Sequence, residues 1–171
     1  CELPNVHWTV SVESIEDEYN YIRYHGNWRD FSNNIHVISK LDHKITFNML
    51  HFILNYKSIH SCVDYLKDKG FNDNSFVIGP LYSPPHLNTM NLPDEMMHEV
   101  LFDLNDRLDK HPTGYLKNSY ENLIEYYTTT NFKKNMKSFY YNLGSMDQRR
   151  KQDARNVFPK LFEGLDAYTL E

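Results

Sequence analysis

Three short apolar runs in the first half of the chain constrain its fold more than any other feature. They occupy residues 8–13, 44–50 and 75–81 and are rich in Val, Ile, Phe and Met. A helical spacing of apolar residues lies between each consecutive pair. The order strand, helix, strand, helix, strand is typical of a parallel sheet, in which polar residues at the carboxyl ends of the strands carry the chemistry. The sequence therefore predicts an α/β fold, a partial (β/α) barrel with three parallel strands.

Helices are predicted at residues 14–23, 28–39 and 55–69. Ser14 is expected to cap the first of them, because acidic residues fill the turn that follows it. The other two place apolar side chains three and four residues apart. The first strand, extending through Glu13, is expected to be buried as is usual in a parallel sheet, although Thr9 and Ser11 would alternate on one face.

The second half of the chain has a helical pattern throughout. Residues 1–91 are therefore interpreted as a half (β/α) barrel, and residues 92–171 as an all-helical carboxyl-terminal tail packed on it in a single compact unit. Within the tail, Gly144 is predicted to end one helix. A capping-box spacing that begins at Ser145 is predicted to start another.

Composition and charge argue against several classes of function. The 171 residues carry a formal charge of −5 and no basic stripe, so a dominant contact with nucleic-acid phosphates is not expected. No stretch approaches the ~20 apolar residues of a membrane span. The two cysteines, Cys1 and Cys62, predict free thiols in the cytoplasm rather than a disulfide framework. The abrupt start at Cys1 suggests a piece of something longer, or a processed product.

Two polar residues end the predicted first strand. Ser11 and Glu13 are two residues apart, so their side chains are expected to project from the same face at the carboxyl end of the strand. A hydroxyl and a carboxylate in that place can hold a ribose or the ammonium group of an amino acid. The alternative is a solvent-exposed polar pair with no ligand, and the residues alone leave both interpretations open.

Arg23 and Asn48 complete the predicted site. The guanidinium of Arg23 can bind a carboxylate in a bidentate manner or, alternatively, complement the dipole at the end of its helix. Asn48 is strongly polar within an apolar strand, so its amide is expected to be buried and to face either a ligand or a neighbouring strand. The histidines, among them His86 and His98, show no shared metal-ligand spacing, so no metal site is predicted, and the catalytic residues stay unassigned.

Three short motifs follow one another early in the chain: V-S-V-E-S at residues 10–14, Y-I-R-Y at 21–24 and G-N-W-x-x-F-x-x-N-I at 26–35. Together they resemble the middle of radical S-adenosylmethionine (radical SAM) proteins, in particular the twitch or SPASM-like branch found in viral and metagenomic sequences. In that family a pattern such as S-I-D-G ends the fourth barrel strand, and an Arg follows shortly after it. Two later runs also resemble sequences of that family, M-D-x-x-R-x-Q at 146–152 and F-P-x-L at 158–161.

The resemblance implies that Ser11 and Arg23 hold the amino-acid part of S-adenosylmethionine, with Glu13 in the position of the family's Asp and Asn48 near the ribose. The family's cluster motif, C-x3-C-x2-C, is absent from the sequence and belongs upstream of its first residue. Without three thiolates no site-differentiated [4Fe–4S] cluster forms and no reductive cleavage occurs. The chain alone is therefore expected to be inert, and any cluster to come from a missing amino-terminal segment.

The leading interpretation is thus the carboxyl-terminal half of a radical SAM-like protein. An open sheet edge invites pairing, so we expect a missing amino-terminal half, a partner chain, or a homo-oligomer formed through that edge. Neither nucleic acid nor a membrane is expected as a partner. Two alternatives remain: a non-enzymatic structural or interaction protein, viral in origin, on a degenerate form of the fold, and a secreted helical factor with a Cys1–Cys62 bridge.

Overall fold

A three-stranded parallel sheet forms the first half of the molecule, in a computed structural model that describes residues 6–41 and 43–169. The strands are β1 (His7–Ser11), β2 (Lys44–His51) and β3 (Phe76–Pro80), and they lie in the order β1-β2-β3. Both neighbouring pairs run parallel. The predicted α/β class and the parallel direction of all three strands are therefore confirmed, whereas the sheet is open and does not close into a barrel.

The predicted first strand is too long at its carboxyl end, because β1 ends at Ser11 and Glu13 lies beyond it. Helix α1 (Glu16–Ile22) follows, and its N-cap is Ile15, which makes no side-chain capping bond. The prediction that Ser14 caps this helix is wrong. The Ser14 hydroxyl donates instead to Glu18 Oε2 at 2.5 Å.

Two further helices connect the strands. Helix α2 (Trp28–Ile38) matches its prediction within a residue, and the Asn27 side chain caps it by accepting from the Asp30 N–H at 3.2 Å. Helix α3 (Ile59–Asp68) begins four residues later than predicted. The chain first makes a single 3-10 turn, Ile53–Asn55, at the carboxyl end of β2.

Burial alternates along β2, which shows that the described helices cover only one face of the sheet. Ile45, Phe47 and Met49 are buried, whereas Lys44 and Asn48 are exposed. Strict alternation is the pattern of a strand with one buried face and one face towards water. The expectation that the first strand is fully buried is also wrong, since Thr9 and Ser11, the two residues that alternate on one face, are exposed.

Five helices form the second half of the described chain. They are α4 (Asp94–Lys110), α5 (Gly114–Thr129), α6 (Met136–Arg150), α7 (Ala154–Val157) and α8 (Pro159–Thr169). Helix α5 packs against both β3 and α4, so it joins the sheet to the carboxyl-terminal helices. None of the described helices is long and apolar enough to cross a membrane.

Helix α6 corrects the predicted break between Gly144 and Ser145. The helix runs without interruption from Met136 to Arg150, with both residues inside it. A single glycine inside a helix costs only about 1 kcal/mol relative to alanine, and the buried side chains of Phe139 and Leu143 anchor the helix to the core. Packing of the apolar face therefore outweighs the local stop signal.

The two edges of the sheet differ in how they are protected. At β3 the N–H of Leu81 points inwards and donates to the His51 carbonyl at 3.0 Å, so the N–H of Ile78 points outwards. That outward N–H donates to the Ser119 hydroxyl of α5 at 2.9 Å, and Pro80 has no N–H to offer. At β1, the described part of the chain supplies no backbone partner for the outer edge.

Candidate functional site

Ser11 and Asn48 lie side by side on the uncovered face of the sheet. They are register partners on β1 and β2, and both side chains are exposed. The prediction that the Asn48 amide is buried is therefore wrong. Its two alternative roles were to face a ligand or to face a neighbouring strand, and in the structure the side chain faces outwards. A hydroxyl and an amide at adjacent positions provide hydrogen-bond donors and acceptors within one small area.

The uncovered face as a whole is predominantly polar and carries few charges. His7 Nε2 and Thr46 Oγ1 form a hydrogen bond of 2.9 Å across β1 and β2 on this face. Leu50, near the carboxyl end of β2, and Val77, near the amino end of β3, add a small apolar area. Parallel sheets usually have both faces covered, so an uncovered face of this composition is unusual in a parallel sheet. We call it the open face, and it comprises His7, Thr9, Ser11, Lys44, Thr46, Asn48, Leu50, Val77 and Gly79.

Glu13 and Arg23 form a bidentate ion pair just beyond the carboxyl end of β1. The Arg23 Nε donates to Glu13 Oε2 at 2.8 Å, and Nη2 donates to Oε1 at 2.5 Å. The side chain of Glu13 is 6% exposed and that of Arg23 is 37% exposed. Glu13 therefore acts as a buried anchor that fixes the plane of the guanidinium, while the guanidinium itself reaches solvent.

A tight turn after α1 sets the backbone position of Arg23. Its N–H donates to the Tyr19 carbonyl at 2.8 Å, and its own carbonyl accepts from the Gly26 N–H at 2.5 Å. A Cβ atom at residue 26 would lie 2.6 Å from the Arg23 carbonyl oxygen and 3.1 Å from the Tyr19 ring. Glycine is therefore required at this position, which explains why a Gly follows the Arg so closely in the sequence.

Asn55 was not singled out from the sequence, yet it ties the ends of β1 and β2 together. Its Nδ2 donates to the carbonyls of Glu13 and Leu50, each at 2.9 Å, and its Oδ1 accepts from the Phe52 N–H at 2.8 Å. The side chain is fully buried. A signal was present, because an Asn directly after an apolar strand must find partners for its amide if it is buried.

The structure thus brings the four predicted residues into two pairs. Ser11 and Asn48 adjoin on the open face, and Glu13 and Arg23 bond to each other at the carboxyl end of β1. The two pairs are linked through the chain, since only Val12 separates Ser11 from Glu13, and Val12 is buried.

His51 is buried at the end of β2 and serves the structure rather than the open face. Its Nε2 lies 3.1 Å from the Tyr56 carbonyl and its Nδ1 lies 2.7 Å from the Tyr127 hydroxyl. Burial lowers its pKa from 6.5 to about 4, which keeps the imidazole neutral at pH 7. Since Nε2 faces a carbonyl, this nitrogen carries the proton, and Nδ1 accepts from Tyr127.

A cavity of about 530 Å³ opens beyond the carboxyl ends of β1 and β2, and the predicted residues do not line it. Its walls are the loops after these two strands and the corner between α7 and α8. Glu16 and Asp17 lie on one side, and Lys57 and Lys160 on another. The charges are mixed and Lys57 already pairs with Glu99 at 2.6 Å, so no single class of ligand is indicated.

The described residues do not fit an iron–sulfur cluster. They contain no group of three or more His, Cys, Asp or Glu side chains that could hold a metal ion. Cys62 is a free thiol buried in α3, with its Sγ 3.6 Å from the Ser14 carbonyl, and burial raises its pKa. Metal-bound sulfur is a thiolate, so this thiol is unsuited to the role. Cys1, and with it the alternative of a Cys1–Cys62 bridge, lies outside the described residues.

No family model, curated protein or solved structure matches the chain significantly. The radical SAM resemblance therefore stays a prediction, and the functional interpretation depends on the geometry of the open face and of the Glu13–Arg23 pair.

Proposed function

We propose that the chain is the carboxyl-terminal half of a radical SAM-like (β/α) barrel, which contributes binding residues for S-adenosylmethionine and is inert by itself. The observation that carries the proposal is an open parallel sheet with helices on one face and polar side chains on the other. In a barrel, one face of every strand points inwards, towards the ligand, and helices cover the opposite face. The open face corresponds to that inward side.

Each predicted residue has a role in this proposal. Arg23, held in plane by Glu13, recognises the carboxylate of S-adenosylmethionine through the N–H groups that the Glu13 pair leaves unused, since a guanidinium carries five donors. Ser11 and Asn48 provide a hydroxyl and an amide for the remaining polar groups of the cofactor, with Asn48 on the ribose. When bound beside a reduced [4Fe–4S] cluster, the cofactor supplies radical chemistry. This chain binds and orients it.

Complementary strands are required by the same proposal. They come from an amino-terminal segment or from a partner chain, pair with the unprotected outer edge of β1, and bring the thiolates for a cluster that the described residues do not provide. The proposal therefore predicts weak binding of the cofactor by this chain and no turnover.

Calorimetric titration with S-adenosylmethionine tests the binding role. Arg23→Ala should weaken binding roughly 10- to 100-fold, because a hydrogen bond to a charged group contributes ~1.5–3 kcal/mol. Arg23→Lys keeps the positive charge for Glu13 but loses the planar fork, so it should remain folded and also bind weakly. Arg29→Ala, which removes an exposed arginine from α2, is the matched control and should bind normally. Absence of binding by the unaltered chain would refute the proposal.

Anaerobic reconstitution with iron and sulfide tests the expected inertness. The chain alone should develop no cluster absorption near ~400 nm and should yield no 5′-deoxyadenosine. Either signal from the isolated chain would contradict the assignment of the cluster to a complementary segment.

A second candidate function, a non-enzymatic interaction protein, is favoured by the unprotected outer edge of β1. The strand contains no Pro and no Lys, Arg, Asp or Glu, which are the residues that commonly block edge pairing. This candidate predicts self-association without cofactor binding. Sedimentation velocity should then show an oligomer that Thr9→Lys dissociates, whereas a monomer that binds S-adenosylmethionine excludes it.

A further inference from the structure

Asp147 joins the middle of the carboxyl-terminal region to the helix that precedes Arg23. Its Oδ1 accepts from the Tyr21 hydroxyl at 2.6 Å, and its Oδ2 accepts from the Ala154 N–H at 3.0 Å. Tyr21 is almost fully buried, and its ring packs edge-on against Phe158 at 5.2 Å between centroids. One carboxylate thus connects α1, α6 and the start of α7. Burial and this carboxylate raise the pKa of Tyr21, so the phenol stays protonated and donates.

Arg150 makes two contacts with the same stretch of α1. Its Nη1 donates to the Tyr21 carbonyl at 3.2 Å, and its guanidinium lies 4.8 Å from the centre of the Tyr24 ring. Asp147 and Arg150 are three residues apart in α6, a spacing that places both on one side of a helix. Tyr21 and Tyr24 lie on either side of Arg23 in the chain.

The end of α6 is shaped so that this side of the helix meets α1. Lys151 adopts a left-handed conformation with φ of 55°, and the Gln152 N–H donates to the Asp147 carbonyl at 3.1 Å. The chain then turns, and α7 begins where the Asp147 carboxylate can accept from its first N–H. The spacing D-x-x-R therefore has a physical purpose that the sequence pattern alone did not reveal.

From these contacts we infer that Asp147 and Arg150 are positioning residues for Arg23. They hold the residues before and after it, and so direct its guanidinium towards Glu13. This inference rests on the proposed function only where it takes Arg23 to bind the cofactor. The positioning itself is a property of the chain and can be measured without a ligand.

The first experiment observes the Arg23 side chain directly by NMR. The Nε–H of Arg23, identified by its disappearance in Arg23→Lys, should give a sharp and exchange-protected signal because it bonds to Glu13. In Arg150→Met, which keeps an unbranched apolar stem, the signal should broaden or shift to the position of a solvent-exposed arginine. Arg149→Met, on the exposed neighbour in α6, is the matched control and should leave the signal unchanged. An unaltered Arg23 signal in Arg150→Met would overturn the inference.

Tyr24→Leu keeps the experiment decisive if Arg150→Met does not fold. Tyr24 is exposed at 42%, so its replacement removes the contact with Arg150 without opening the core. The Arg23 signal should broaden in this variant as well, while circular dichroism stays that of the folded chain. A sharp signal in Tyr24→Leu would count against the inference.

The second experiment is a double-mutant cycle on the affinity for S-adenosylmethionine. If Arg150 acts through Arg23, Arg150→Met should lose affinity several-fold, and adding it to Arg23→Ala should cause no further loss. If the two losses of affinity multiply in the double variant, Arg150 acts independently of Arg23, and its role in positioning Arg23 is refuted. If the unaltered chain binds no S-adenosylmethionine, the proposed function fails, whereas the NMR result still decides the positioning role.

Discussion

Two buried histidines make the stability of this fold depend on pH. His51 has its pKa lowered from 6.5 to about 4 by burial. His60 has its pKa lowered to about 3, by burial first and then by the neighbouring His51 and Arg107. Both are therefore neutral in the folded chain at pH values where the unfolded chain already binds protons. For a folded-state pKa below the unfolded value of a histidine, stability is complete above pH 6.5 and is lost as the pH falls.

The size of the effect follows from proton linkage. Between its unfolded and folded pKa values, each histidine costs about 1.4 kcal/mol of unfolding free energy per pH unit. From pH 7.5 to pH 5.0 each should therefore cost about 2 kcal/mol, and the two together about 4 kcal/mol. That is a large share of the roughly 5–15 kcal/mol that stabilises a typical domain. Carboxylates with lowered pKa values, such as Asp73, lose their contribution only at lower pH and do not enter this window.

Urea unfolding followed by tryptophan fluorescence at pH 7.5, 6.5, 5.5 and 5.0 measures the dependence. His60→Leu is the informative variant, since His60 Nδ1 has no hydrogen-bond partner among the described residues and its loss should be tolerated at pH 7.5. The pH slope of its unfolding free energy should be about half that of the unaltered chain. His36→Gln, on the exposed side of α2, is the control and should keep the full slope. A free energy that stays flat from pH 7.5 to 5.0, or an equal slope in His60→Leu, would refute the reasoning.

Three further predictions concern the surroundings of the proposed site. Asn55→Ala should lower the free energy of unfolding by about 3 kcal/mol, because the carbonyls of Glu13 and Leu50 would lose their buried hydrogen-bond donor. Asn34→Ala, on the surface of α2, is the control and should change it little in the same urea titration. Gly26→Ala should destabilise by roughly 1–3 kcal/mol, because its Cβ would lie 2.6 Å from a carbonyl oxygen; equal midpoints for the variant and the unaltered chain would contradict this. Cys62 should react with a thiol reagent only as fast as the chain unfolds, and rapid labelling under native conditions would contradict its burial and raised pKa.

The direction and order of the strands could be predicted from the sequence, because each connection has the length and apolar spacing of a crossover helix. The open face was not predicted, although the alternation that reveals it is visible between Lys44 and Met49. Parallel sheets are usually buried on both faces, but in this chain the alternation is the better guide. A strand with polar residues at every second position indicates one uncovered face, whichever way its neighbours run.

The Glu13–Arg23 pair marks a different limit of sequence reasoning. The sequence marks Glu13 and Arg23 as candidate residues, each for a ligand, but does not predict their contact with each other. A bidentate pair depends on where the turn after α1 places the guanidinium, and this is set by contacts with Asp147 and Arg150, over 120 residues away in the chain. Local spacing does not contain that information. The predicted helix end at Gly144 is wrong for a similar reason, since the packing of Phe139 and Leu143 in the core outweighs the local stop signal.

The polarity of the open face restricts what can cover it. Burying the Ser11 hydroxyl and the Asn48 amide against an apolar layer would leave their donors and acceptors unpaired, at a cost of about 1–3 kcal/mol for each group. A second apolar sheet is therefore a poor partner, whereas a polar ligand or ordered water can satisfy these groups. Strands that pair with the outer edge of β1 would enclose the open face without filling it. Cofactor binding and strand pairing should then be coupled, and each should strengthen the other by the same factor. If the complementary strands are added in trans and the affinity for S-adenosylmethionine does not rise, the open face is not the inner wall of a ligand site.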